Sequence, residues 1–411
     1  MKHYSVMLTE SIDGLNIKPD GIYIDGTLGY GGHSSEILKK LTTGHLYSFD
    51  QDEEAIEYAK ERLSKINDNF AIIHSNFANM KQKLEELGVT KVDGILFDLG
   101  LSSPQIDNAE RGFTFMNDAP LDMRMDRTCK LTAETVVNTY TYDQLTDIFF
   151  IYGEEKMSKV IAKKMVNERQ NKPIKTTKEL VNIIERAVGA KYFNKQHPER
   201  QIFQAVRIEV NGELTVLKSV LPDAIELLKE NGRMSVITFH SLEDRIVKQL
   251  FKKESEIDDL VKGLPVIPDE YKPKVKLINK KPILPTPEEL KENSRSKSAK
   301  LRIIERLWWT MGSKNRTKKK KKMFEQEKTY WIIILLIIFA IPVANVYTKA
   351  ILSETNIELE EAKNDVERQQ NTNDSLRTEI YELASLDKIQ LVAQEDGLQY
   401  INENIIVVTD N

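Results

Sequence analysis

Cysteine is nearly absent from this 411-residue chain: Cys129 is the only one. A single thiol excludes intramolecular disulfides, Cys-x-x-Cys metal sites and iron–sulfur radical chemistry, and it suits a reducing cytoplasm. No metal site is expected. Cys129 sits in Asp126-Arg-Thr-Cys-Lys130, a polar stretch with no preceding proline and no obvious base, so it makes a poor nucleophile. Charge of one sign is also scarce. Fifty-nine basic residues against 63 acidic ones leave a formal charge of −4, so any nucleic-acid binding rests on local patches. A third absence concerns glycine. Counting from Gly29, a G-x-G-x-x-G fingerprint needs glycine at position 34, where Ser34 stands. That disfavours a dinucleotide pyrophosphate, and with it an NAD-dependent oxidoreductase. A nucleoside ligand without that phosphate, such as S-adenosylmethionine, stays in play.

What is present is a strand, a tight loop and a helix: Ile22-Tyr-Ile-Asp-Gly-Thr-Leu-Gly-Tyr-Gly-Gly-His33, with Ser34 opening a helical pattern. Glycines let the backbone approach a ligand, and a helix N-terminus offers unpaired N–H groups. The next apolar run, His45 to Phe49, ends in Asp50, which is placed to accept both hydroxyls of a ribose. Glu53 to Lys65 reads as a helix. A third strand, Phe70 to His74, leads to Phe77, and a fourth, Val92 to Phe97, ends in Asp98-Leu-Gly-Leu-Ser-Ser-Pro-Gln105. Strands alternating with helices predict an α/β fold with a doubly wound, mainly parallel sheet. Its ligand crevice lies at the carboxyl ends of the strands. Gly31, Asp50, Phe77 and Asp98 all fall there.

Six blocks together carry a family resemblance: Asp25 to His33, Asp98 to Gln105, Glu110-Arg-Gly-Phe-Thr-Phe115, Pro120-Leu-Asp-Met-Arg-Met125, Phe203-Gln-Ala-Val-Arg-Ile208 and Phe239-His-Ser-Leu-Glu-Asp-Arg245. Over residues 1 to 307 the chain resembles the MraW/RsmH methyltransferases, which methylate N4 of a cytidine in the decoding centre of 16S ribosomal RNA. The resemblance implies a Rossmann-like class I methyltransferase fold and S-adenosyl-L-methionine as cofactor. It also implies that Gly31, Gly32 and His33 line the methionine end, Asp50 holds the ribose, Phe77 packs on the adenine, and Asp98 and Gln105 lie at the cofactor. Methylating C5 of cytosine needs a cysteine nucleophile, which this chain does not offer. Transfer to an exocyclic amine needs only alignment and acceptors for the amine protons. Asp98, Ser102 and Ser103 are the catalytic candidates, and which atom accepts the proton stays open. His240, Ser241 and Asp244 suggest a hydrolase triad, but they lie within six residues of each other, and triads are assembled from distant segments.

Between Asp98 and the next buried strand, Arg233 to Phe239, lie over 130 residues, far more than one crossover helix requires. Helical patterns over Tyr142 to Tyr152, Glu154 to Gln170 and Thr177 to Val188 predict a helical substrate-recognition subdomain at residues 106–200. It divides the methyltransferase core into 1–105 and 201–307. Arg111, Arg124, Arg207, Arg295 and Lys297 are the candidate contacts to substrate RNA. Arg111, Arg124 and Arg207 lie inside the shared blocks, so either a phosphate or a structural carboxylate is their expected partner.

After Leu307 the composition changes. A basic linker, 308–329, has seven basic residues in the nine from Lys314 to Lys322. Residues 330–347 then read as a transmembrane helix of 18 residues flanked by aromatics and lysines. The basic run places the enzyme in the cytoplasm, the tail in the cell membrane and the C-terminus outside. Leu352, Leu359, Val366, Asn373 and Ile380 recur every seven residues, predicting a coiled coil over 348–386, followed by a tail at 387–411. From Met323 to Asn411 the chain resembles FtsL, a small cell-division protein with one membrane span. That resemblance implies zipper pairing with a partner of the FtsB/DivIC type. Met323 reads as the start of a separate protein, and the sequence leaves open whether the two parts are joined naturally.

Overall fold

A computed structural model describes residues 5–257, 261, 267–268, 271–307, 359–360, 362–382 and 386–396. Two compact units divide at residues 309 and 310.

In the first unit, seven strands form one sheet in the order β3-β2-β1-β4-β5-β7-β6. They are β1 (Ile22–Asp25), β2 (His45–Asp50), β3 (Phe70–His74), β4 (Val92–Asp98), β5 (Leu228–Thr238), β6 (Val275–Leu277) and β7 (Lys300–Arg306). The first five pair in parallel, while β7 runs antiparallel to both β5 and β6. Alternation along the strands splits the core into two layers. Tyr23, Leu46 and Leu96 face one side, against α1 (Leu8–Leu15), α2 (Gly32–Lys40) and α3 (Glu53–Ser64). Ile24, Phe49 and Phe97 face the other, against α4 (Met80–Glu86), α12 (Glu213–Leu227) and α13 (Ser241–Ser255). Helices on both faces make the sheet doubly wound, as the alternating pattern predicts.

The helical insertion follows β4. Its elements are α5 (Ser103–Asp107), α6 (Ala133–Thr139), α7 (Tyr142–Ile151), α8 (Ser158–Asn171), α9 (Thr177–Val188), α10 (Ala190–Gln196) and α11 (Pro198–Asn211). Local chemistry sets the boundaries. Thr141 and Gln144 form a capping box at α7, and Thr176 and Glu179 form another at α9. The pattern beginning at Glu154 starts its helix only at Ser158. Glu154 adopts a left-handed φ of 51°, and the Glu155 carboxylate accepts from the Met157 amide. Leu180, Ile183 and Ile184 of α9 join Leu145, Phe149, Ile161 and Met165 in a core separate from the sheet. Each such burial contributes about 1.5–3 kcal/mol. Ile202, Phe203, Ala205 and Val206 of α11 belong to this second core, whereas α12 belongs to the sheet. By its packing, then, the insertion continues through Asn211 and hands over to the sheet layer at Gly212, whose φ is +60°.

Strand β7 runs through the end of the basic stretch 294–302. Leu301 and Ile303 are core residues, and Arg302 is turned inward onto Asp244 of α13. That pairing removes Asp244 from any triad with His240 and Ser241.

In the second unit, residues 359–360 and 362–382 are helical and exposed, and a helix spans Leu386–Glu395. Leu359, Val366, Leu376 and Ile380 are among the exposed apolar residues. Among the described residues no helix is long and apolar enough to cross a membrane. The predicted span, 330–347, and the basic linker lie outside the described residues.

Candidate active site

A cavity of about 320 Å³ opens at the carboxyl ends of β1, β2 and β4. Its first wall is the loop between β1 and α2. Asp25 closes β1, fully buried, and its carboxylate accepts from Ser34 Oγ at 2.7 Å and from the Thr27 amide at 3.1 Å. Burial pushes its carboxyl up to about 6 against these stabilising hydrogen bonds. Gly29 and Gly32 line the cavity. A Cβ at Gly32 would fall 1.8 Å from Ser5 Oγ and 3.1 Å from Ser5 Cβ, so a side chain there would require Ser5 to move. Gly31 does not line the cavity. It caps α2 with a φ of 73° and backs onto Ala59 of α3.

The second wall comes from the tips of β2 and β3. Asp50 lines the cavity and organises the loops around it: one carboxylate oxygen accepts from the Gly29 amide at 2.7 Å, the other from the Asp52 amide at 2.9 Å. Burial raises its pKa despite those bonds. Phe77 presents an aromatic surface to the cavity and packs edge-on against Phe97, with centroids 5.5 Å apart.

Asp98 at the tip of β4 is the electrostatic centre. Its Oδ1 is buried and has no hydrogen-bond partner, while Oδ2 lies 3.5 Å from His33 Nδ1. His33 Nε2 is 3.1 Å from the Val6 carbonyl, which can only accept, so Nε2 carries the ring proton. Burial pushes His33 down to about 4, so the ring is neutral at physiological pH. Among the described residues, then, no cation is paired with Asp98. Burial, then the nearby Asp25, Glu243 and Glu289 carboxyls, hold its pKa well above the usual range.

Ser102, Ser103 and Gln105 also line the cavity. Ser102 caps α5, accepting from the Gln105 amide, and Gln105 Oε1 accepts in return from the Ser102 amide at 3.0 Å. Gln105 Nε2 donates to Asp52 at 2.8 Å, so this side chain ties α5 to the β2 tip.

The arginines expected at RNA are held by this chain's own groups. Arg111 is 2% exposed and donates to Asp52 at 2.8 Å and to the Arg124 and Met125 carbonyls, so it presents no surface to RNA. Arg124 forks onto Asp122, and Arg207 forks onto Glu213 through two bonds of 2.9 Å. For these three, the structural carboxylate is the partner in place. Arg295 lines the cavity and pairs with Asp107, while Lys297 is exposed. Cys129 is exposed, does not line the cavity, and has a thiol pKa raised by burial and then by Asp126. Thr27, Tyr30, Asn211, Glu213 and Glu243 also line the cavity, and sequence reasoning missed them. Thr27 lay within the first shared block, and its hydroxyl accepts the Asp98 amide at 2.6 Å.

The sheet unit is similar to several solved structures at low identity. An rRNA methylase from Streptococcus thermophilus is 12% identical with a TM-score of 0.33, covering 73% of this chain and 96% of that one. An rRNA methylase from Clostridium thermocellum is 12% identical with a TM-score of 0.36, covering 74% and 99%. A methyltransferase from Streptococcus mutans in complex with SAH is 13% identical with a TM-score of 0.34, covering 74% and 99%. Residues 1–307 match the MraW methylase family, and the chain belongs to that family of S-adenosylmethionine-dependent methyltransferases.

Proposed function

We propose that residues 1–307 transfer a methyl group from S-adenosylmethionine to N4 of a cytidine in the decoding centre of 16S ribosomal RNA. The observation that carries this reading is Asp98: a carboxyl of raised pKa whose buried Oδ1 has no partner among the described residues, at a cavity whose other walls suit a nucleoside. The residues present fit the cofactor. Asp50 offers carboxylate oxygens for ribose hydroxyls, Phe77 offers a ring for adenine, and the side-chain-free cradle at Gly29 and Gly32 admits the methionine end. Bound there, S-adenosylmethionine supplies an electrophilic methyl group on a positively charged sulfur.

The chain's own groups hold the amine and receive its proton. As the nitrogen lone pair forms the new N–C bond, an N–H proton has to leave. Asp98, Ser102 and Ser103 line the cavity and offer oxygens that can accept it. A cationic cofactor would lower the raised pKa of Asp98 and favour its ionised, accepting form. Transfer to carbon C5 is disfavoured because the single cysteine is exposed, of raised pKa and outside the cavity.

The test is incubation of the full chain with labelled S-adenosylmethionine and 30S subunits lacking the modification, followed by nucleoside analysis. N4-methylcytidine is the expected product. Label in another nucleoside, or none despite cofactor binding, would refute the assignment.

For residues 323–411 the reading is a membrane-anchored, FtsL-like division module that pairs with a coiled-coil partner of the FtsB/DivIC type. Its support is the helical stretch 362–382 with Val366, Leu376 and Ile380 exposed, an apolar stripe that a second helix could cover. Protease accessibility in intact cells tests the orientation, and a tail cleaved only after lysis would refute it.

A further inference from the structure

We propose that Glu213, His240 and Glu243 form a binding site for one divalent transition-metal ion in the wall of the cavity, beyond the methyltransferase reading and independent of it. The three residues come from separate places. Glu213 opens α12, His240 lies at the corner after β5, and Glu243 sits one turn into α13. One ligand atom from each lies within 4.8 Å of the others.

The independent observation is the imidazole of His240. Its side chain is only 9% exposed, yet among the described residues neither ring nitrogen makes a hydrogen bond of good geometry. A buried polar group without a partner is costly, and a bound ion is one group that would satisfy it. Nε2 stands 3.2 Å from Glu243 Oε1 without hydrogen-bond geometry. Two ligands on adjacent positions of one ion, each about 2.0–2.2 Å from it, are separated by about this distance.

The second oxygen of Glu243 is already committed, accepting the Phe239 amide at 2.8 Å, which fixes the carboxylate and leaves Oε1 turned toward His240. Both oxygens of Glu213 accept from the Arg207 fork at 2.9 Å, which fixes the carboxylate and leaves each oxygen one further lone pair for an ion. Such outer hydrogen bonds are how ligating carboxylates are usually held. Two carboxylates against one arginine leave one negative charge in excess, which a divalent cation would reverse. One imidazole nitrogen with two carboxylates suits Mn²⁺ or Zn²⁺ better than Mg²⁺ or Ca²⁺, which prefer oxygen alone. Glu213 and Glu243 line the cavity, so the ion's open positions would face it.

The full chain, stripped with a chelator, is titrated with Mn²⁺ and Zn²⁺ by calorimetry. Saturable binding of one ion per chain is expected. Pulsed electron paramagnetic resonance of the Mn²⁺ form should show coupling to a histidine nitrogen. His240→Asn and Glu213→Gln should each weaken binding roughly ten-fold or more, with S-adenosylhomocysteine affinity retained in His240→Asn as the check on folding. No saturable binding in the wild type, a Mn²⁺ spectrum without nitrogen coupling, or wild-type affinity in both variants would overturn the proposal.

Discussion

Replacing Asp25 by Asn should make the protein more stable at neutral pH, and by an amount that depends on pH. Asp25 is fully buried, and burial lifts its pKa to about 6 from 3.8. The folded state therefore binds this proton more tightly than the unfolded chain does. Stability falls as pH rises from about 4 to 6 and stays reduced above that. A shift of this size corresponds to about 3 kcal/mol at pH 7.5, of which only about 1 kcal/mol has been lost by pH 4.5. Asparagine copies the neutral acid. It can accept the Thr27 amide through its carbonyl and donate to Ser34 Oγ, which then donates to Ser48 Oγ, 3.0 Å away. The gain over wild type should therefore be about 2 kcal/mol larger at pH 7.5 than at pH 4.5. Urea unfolding of both proteins at the two pH values measures this double difference, in which the other titrating groups cancel to first order. His33 makes the comparison necessary. Its pKa is lowered to about 4, so it loses stability as pH falls below about 6.5, opposing Asp25 in the wild type. An equal gain at both pH values, or a loss at pH 7.5, would refute a buried ionised Asp25.

Phe77→Ala should weaken S-adenosylhomocysteine binding by about two- to ten-fold, the scale of one aromatic contact worth about 0.5–1.5 kcal/mol; unchanged affinity by calorimetry would remove the ring from the cofactor. Arg111→Ala should destabilise the fold by about 3–5 kcal/mol, because it strands the Asp52 carboxylate in a buried position. A change below about 1 kcal/mol in denaturant unfolding would show that water reaches that pair.

The strand-tip architecture could be read in the chain because β1 to β4 are short apolar runs, three of which end in aspartate, a pattern that does not depend on tertiary partners. β7 could not. Lys-Leu-Arg-Ile-Ile-Glu-Arg carries four charges in seven residues, and Arg302 and Glu305 are tolerated in a strand only because Asp244, Arg233 and Lys276 neutralise them. The same limit applies at the site. Asp50 and Phe77 follow from strand ends, whereas Glu213 and Glu243 reach the cavity from helices well over a hundred residues further along. The partners of Arg111 and Arg207 were legible as a choice between phosphate and carboxylate; only the fold decides, since Asp52 and Glu213 come close through packing.

Gly212 is a single residue between two hydrophobic cores, and the cavity straddles it. Met125, Arg207 and Asn211 line it from the insertion, while Glu213, Val216 and Leu217 line it from the sheet layer. A rotation at this joint would swing one wall against the other like a jaw, leaving both cores intact. The Arg207–Glu213 fork is the latch across that jaw, and Glu154, which grips Ser241 and Arg245, is a second fastening farther out. The aperture available to a bulky substrate thus depends on contacts across the joint: these two ion pairs, the buried Arg111–Asp52 pair, and the packing of Ile208 against Leu214 and Leu242.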